Sequence, residues 1–223
     1  MNYDLLMEEE MKKAPLGASL LLHACCAPCS SAVLERLGNN FTITILYYNP
    51  NITIKEEYDH RLTELTNFIK QIKTKYPISI LPARYDPKEF FDIAKGLEKE
   101  KERGARCYKC YNLRLEETAR VAKEHNFDYF ATTLTLSPYK NVDWLNEIGA
   151  IQAEKYQITY LYSDFKKKNG YKRSLELSKI YNLYRQDYCG CIYSKLEREK
   201  KKEEKLKQSQ NSVNSVLKNI ASS

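Results

Sequence analysis

Ser19-Leu20-Leu21-Leu22-His23-Ala24-Cys25-Cys26-Ala27-Pro28-Cys29 is the stretch on which the reading of this chain turns. Its first six residues form a short apolar run of the kind that makes a strand buried on both faces of a parallel sheet. Two adjacent cysteines follow at once. Pro28 then suits the first turn of a helix, where its missing N–H costs nothing. Cysteines at such a strand-to-helix turn lie at the carboxyl end of a sheet, where open α/β sheets bind their ligands.

The same alternation continues outward. Phe41–Tyr48 (FTITILYY), Ile78–Tyr85, Asp128–Leu136 and Ile158–Asp164 are β-branched or aromatic runs of strand length. Helical spacing of apolar residues marks Tyr58–Ile72, Tyr111–Glu124 and Val142–Lys155, with a further short helix at Ser178–Tyr184. Strands alternating with helices predict an α/β domain: a mostly parallel, Rossmann-like sheet of about five strands flanked by helices. The expected domain covers residues 18–198, after a flexible extension over 1–17. Lys195–Lys207 (KLEREKKKEEKLK) reads as a solvated helix with i,i+4 ion pairs, so 199–223 is expected to be a charged helical tail that frays.

Composition narrows the function classes. Among 223 residues, 36 Lys and Arg stand against 29 Asp and Glu, a net charge of +7 that leaves an anionic partner open. No apolar run is long enough to span a membrane. MNYDLLMEEE is acidic where a secretory signal starts basic, so a cytoplasmic location is expected. The 7 glycines include no G-x-G and no phosphate-binding P-loop, which argues against a nucleotide cofactor.

The 7 cysteines fall in three clusters with none left over: Cys25, Cys26 and Cys29; Cys107 and Cys110; Cys189 and Cys191. An odd count in a reducing compartment argues against a disulfide framework and for metal or redox chemistry. Cys107 and Cys110, three apart at a helix start beside Arg106 and Lys109, present two sulfurs on one face. Together with Cys25 and Cys26 they amount to four thiolates from two segments. That spacing favours an iron–sulfur cluster, while zinc stays open. His23 is a candidate metal ligand, a hydrogen-bond partner of one, or a core histidine. Cys189-Gly190-Cys191 reads either as a strained, easily reduced disulfide or as two further metal ligands.

His23-x-Cys25-Cys26-x-Pro28-Cys29, Tyr48-Asn49-Pro50-Asn51 and Arg106-Cys107-Tyr108-Lys109-Cys110 resemble motifs of the cobalamin-independent epoxyqueuosine reductases, the QueH family. Arg114-Leu115-Glu116-x-Thr118-Ala119, Thr132-Thr133-Leu134-x-x-Ser137-Pro138-Tyr139-Lys140 and Tyr188-Cys189-Gly190-Cys191-x-Tyr193-Ser194 extend the match over residues 18–196. The resemblance implies two-electron deoxygenation of epoxyqueuosine at the wobble position of tRNA, without cobalamin. It implies that Cys25, Cys26, Cys107 and Cys110 hold a [4Fe–4S] cluster and that Cys189 and Cys191 form a redox-active disulfide. Cys29 stands open between that cluster and a second metal, iron or another, shared with the third pair.

Protons for the departing oxygen need an acid, for which Asp187, Tyr188 and Tyr139 are the candidates. The basic stretches Lys95–Lys109, Lys166–Arg173 and Lys195–Lys207 are candidates for phosphate contacts, and Tyr47, Tyr48, Tyr108 and Tyr139 for stacking on a base. The electron donor is not identifiable from sequence. Two other classes remain: a zinc-stabilised RNA-binding module without catalysis, and an ATP-using tRNA thiolation enzyme. The latter normally carries an S-G-G-x-D-S loop, and this chain has no Gly-Gly.

Overall fold

The structure, a computed structural model, describes residues 1–81 and 83–221. Its sheet has five parallel strands: β1 (Ala18–His23), β2 (Phe41–Leu46), β3 (Ile78–Leu81), β4 (Tyr129–Thr132) and β5 (Thr159–Tyr160). Their order is β3-β2-β1-β4-β5. β1 is central because both its faces are apolar. Leu20 and Leu22 enter one core cluster with Ile43, Ile45 and Leu65, while Leu21 enters another with Leu115, Phe130 and Leu145. Each such side chain, fully buried, contributes about 1.5–3 kcal/mol relative to exposure.

Helices cover both faces. On the first lie α1 (Tyr3–Lys13), α2 (Ala27–Leu37), α3 (Lys55–Ile69) and α7 (Gly170–Ile180), which supply Met7, Leu34, Phe68 and Leu177. On the second lie α5 (Ala105–Glu124) and α6 (Val142–Tyr156), with α4 (Pro87–Ala94) packed against α5. A last helix, α8, runs from Ile192 to Ala221. Strand order reverses between β1 and β4, so their carboxyl ends open into a crevice. His23, level with Leu46 on one side and Thr132 on the other, is the last residue of β1 at that crevice.

Five expectations need correction. Residues 3–13 are a helix and not a flexible extension: Asp4 and Glu8 pair with Arg36 of α2 at 2.7 and 3.0 Å, and Met7 is fully buried. The run 128–136 leaves the sheet at Thr132, whose hydroxyl accepts from Leu134 N and starts a 3-10 turn over Thr133–Leu136. β3 pairs only over Ile78–Leu81; Pro82, within the longer expected strand, lies outside the described residues. The late short helix is α7, which ends at Ile180 ahead of Asn182 in left-handed backbone. α8 stays helical to Ala221, beyond the expected fraying point.

Candidate active site

The first cysteine cluster sits where β1 gives way to α2. Cys26 is the N-cap of α2, and its Sγ accepts from Cys29 N at 3.4 Å. The three sulfurs of Cys25, Cys26 and Cys29 lie within 4.8 Å of one another, the first two 3.8 Å apart. Hydrogen bonds from Cys26 and Cys29 hold the Cys25 thiol well below its ordinary pKa. Burial pushes Cys26 up to about 12. Gln186 Nε2 donates to Cys26 Sγ at 2.9 Å.

The second cluster occupies the first two turns of α5, as its spacing implied. Cys107 and Cys110 line a small inner pocket with Cys189, Cys191, Asn51 and Arg114. Burial raises both thiols, Cys110 to about 12, and the nearby Cys189 adds to each. Beside this pocket opens an outer cavity of about 450 Å³, walled in part by Cys25, Cys29, Tyr139, Lys140, Arg198 and Lys201. The two spaces share Glu102, Cys189 and Ser194. Cys189 therefore stands between the sulfurs of β1 and those of α5.

The third cluster is held in one shape. Gly190 has φ +116°, and a Cβ there would meet Ile52 Cγ1 at 2.9 Å. Gly190 O accepts from Thr53 N at 3.3 Å. Arg61, fully buried and paired with Glu57 at 2.6 Å, donates to the Cys189 carbonyl at 3.3 Å and the Tyr188 carbonyl at 3.5 Å. Burial pushes Cys191 up to about 11, so it rests as a thiol.

The remaining candidates separate clearly. His23 is fully buried between Thr132 Oγ1 (3.0 Å) and the Tyr48 carbonyl (3.1 Å), and burial pushes it down to about 3. It is a neutral core histidine that ties β1 to β4. Asp187 is ion-paired to the start of the last helix. Lys202 at 2.7 Å and Arg198 at 3.3 Å hold its carboxylate below its ordinary range. Tyr188 is half-buried with its ring against Arg61, and burial raises its phenol. Tyr139 is 65% exposed at the outer cavity, whereas Tyr47 and Tyr48 are buried and Tyr108 packs edge-on to Trp144. Tyr139 is thus the one of these four rings free to stack on a base.

Several expected phosphate contacts are occupied elsewhere. Lys166 pairs with Asp164, Lys168 with Glu8, and Arg173 with Glu35 and Glu176. Arg106 is buried, donating to the carbonyls of Leu97, Glu98 and Glu100, with its guanidinium 4.4 Å from the Tyr193 ring centroid. It fixes the loop before α5 and the base of α8. The cations that face the outer cavity are Lys140, Arg185, Arg198 and Lys201.

Sequence reasoning passed over Arg61 and Gln186, and Asn51 entered it only as part of the Tyr48–Asn51 motif. A signal for Arg61 exists: the buried stripe of α3 reads Tyr58, Arg61, Leu65, Phe68, a charge on an otherwise apolar face. Gln186 and Asn51 sit in irregular backbone and carry no such pattern.

Residues 20–197 match the family described as epoxyqueuosine reductase QueH. The chain is 43% identical over 198 residues to the epoxyqueuosine reductase QueH of Streptococcus pyogenes, covering 86% of this chain and 78% of that protein. It is 41% identical over 200 residues to the Staphylococcus epidermidis protein of the same name, covering 86% and 84%. The Thermotoga maritima protein so named is 31% identical over 186 residues, covering 82% and 93%.

Proposed function

The chain belongs to the epoxyqueuosine reductase QueH family, and from that premise we propose that it deoxygenates epoxyqueuosine at the wobble position of tRNA, using an iron–sulfur cluster and the Cys189–Cys191 pair. The observation that carries the reading is the convergence of all three cysteine clusters on two adjoining spaces that share Cys189. A sulfur-only donor set fits an iron–sulfur cluster. Cys25, Cys26, Cys107 and Cys110 hold it in this reading, and Cys29, packed against the first two, is the further thiol available to a metal. When bound, the cluster would supply an electron-poor iron that polarises oxygen and would relay electrons to the cysteine pair.

The chain's own residues do the rest. The outer cavity has the size of a nucleoside site, with Tyr139 at its rim and Arg198 and Lys201 placed for backbone phosphates. Cys189, at the border of the two spaces, presents a thiol to whatever fills the cavity. Two thiols supply two electrons and two protons: both C–O bonds of the epoxide and both S–H bonds break, while a C=C bond, an S–S bond and one water form. Cys191, kept protonated by burial, is one of the two proton carriers, so Asp187 is not needed as an acid. Among the described residues no helix is long and apolar enough to cross a membrane.

The test is anaerobic iron and sulfide analysis with an absorption spectrum, followed by reaction with an epoxyqueuosine-bearing anticodon stem-loop. A brown, oxygen-sensitive protein that lowers the mass of the RNA by one oxygen is expected. A colourless zinc protein that binds the RNA unchanged would overturn the proposal and leave an RNA-binding module.

A further inference from the structure

Arg114 of α5 is fully buried, and among the described residues it has no carboxylate partner. Its Nε donates to the Cys110 carbonyl at 3.2 Å, and its guanidinium carbon lies 5.7 Å from the Tyr111 ring centroid. Its Nη2 is buried with no partner at all. Burying an uncompensated guanidinium is strongly unfavourable, so its countercharge must lie close by. Cys107, Cys110, Cys189 and Cys191 line the same inner pocket as Arg114, so sulfur is the source of negative charge at hand.

The other buried arginines of the site are committed elsewhere. Arg61 is spent on Glu57 and two carbonyls, and Arg106 on three carbonyls before α5. Arg114 lines the inner pocket alongside Arg106, whose Nε is unpaired but whose Nη atoms are taken by those carbonyls and Glu197, and Asn51, which is 1% exposed and has both amide atoms unpaired. Unpaired N–H donors on the wall of a sulfur-lined pocket can donate to thiolate or sulfide.

We propose that Arg114 is the countercharge of the cysteines that line the inner pocket and that it makes the iron–sulfur centre easier to reduce. The inference rests on the cluster-bearing reading above. One electron from a low-potential donor adds one negative charge to the centre and makes or breaks no bond. A fixed positive charge and unpaired N–H groups on the wall of the pocket stabilise that reduced form, and net charge and hydrogen bonds to sulfur are among the terms that set such potentials. Arg114 acts through sulfur and does not touch substrate, so it is a positioning residue. Its loss is expected to lower electron uptake while leaving RNA affinity intact.

The experiment is a potentiometric titration of the anaerobic, iron-loaded protein, followed by its visible and paramagnetic signals. Arg114→Met is expected to lower the ratio of reduced to oxidised cluster at least tenfold at a fixed potential, a negative shift of 59 mV or more for one electron. Arg114→Lys, which keeps the charge, restores most of that ratio, and neither variant changes stem-loop affinity. A ratio within twofold of wild type in Arg114→Met would overturn the inference. If that variant does not retain iron, Arg114→Gln is titrated in its place. Loss of iron from both neutral variants would overturn a tuning role and make Arg114 a requirement for cluster retention. A wild-type protein without iron would overturn the function proposed above as well, whereas an unshifted variant of an iron-loaded protein overturns this inference alone.

Discussion

The two ends of β1 are built on opposite rules. At the amino end, Ser19 and Asp128 satisfy each other completely. Ser19 N and Oγ donate to the carboxylate at 2.8 and 2.7 Å, and Asp128 N donates back to Ser19 Oγ at 2.9 Å. Beyond the carboxyl end, Asn49 Oδ1, both amide atoms of Asn51, Thr133 Oγ1 and Arg114 Nη2 are buried without partners, in the neighbourhood of the cysteines. Native proteins leave few such atoms, and each one has a cost of about 1–3 kcal/mol. Their concentration at one end of a single strand teaches that the amino end serves stability, while the carboxyl end is held ready for a ligand.

The largest expected effect lies at the unsatisfied end. Under the proposed function, in which the pair is a redox couple outside the cluster ligands, Cys189→Ser should reduce turnover of the epoxide RNA more than a hundredfold while iron and sulfide stay near wild-type levels. Loss of one metal ion per chain with sulfide unchanged would instead make Cys189 a ligand to a second metal. Cys107→Ala should remove most of the iron and sulfide, and turnover with them. A full cluster in that variant would return the ligand set to Cys25, Cys26 and Cys29, the sulfurs that lie closest together.

A medium effect of a different kind belongs to the satisfied end. Asp128→Ala strips the carboxylate from Ser19 N and Oγ and should cost about 0.5–1.5 kcal/mol of stability, read as a lower denaturation midpoint. Turnover and iron per folded molecule should not change. A loss of activity without a loss of stability would break the division of labour between the two ends.

How far the sequence revealed this division depends on the residue. The strands at 18–23 and 41–46 and the helix bearing Cys107 and Cys110 follow from apolar periodicity and from Pro28, local signals that survive in the fold. α1 did not, because its acidic residues look solvated until Arg36 is brought beside them from α2. The cysteine clusters were legible as a set, but their grouping was not: three elements distant in sequence decide which sulfurs meet. Arg114 was quoted only as part of a motif. Its burial among sulfurs depends on α5 packing against both the β1 turn and the Tyr188–Cys191 loop. The ion pairs of Asp187 were not legible because its partners, Arg198 and Lys202, sit about two and three turns into a helix that looked like a detached tail.

That helix supplies the smallest expected effect. Glu197, Arg198 and Lys201 line the outer cavity from the first turns of α8, and Lys202 holds Asp187. The base of α8 therefore lines the outer cavity, while the sequence after Lys207, QSQNSVNSVLKNIASS, contains a single basic residue. Removing a cation that neutralises one phosphate lowers the salt dependence of nucleic-acid binding by close to one unit of slope. Ending the chain after Lys207 removes none of the cavity-facing cations, so stem-loop affinity should fall less than threefold and the salt slope by less than one. Measuring affinity for that truncation across a salt series decides the matter. A fall of tenfold or more, with a larger drop in slope, would mean that the distal helix binds RNA phosphates of its own. The RNA-facing surface would then run well past the carboxyl end of β1.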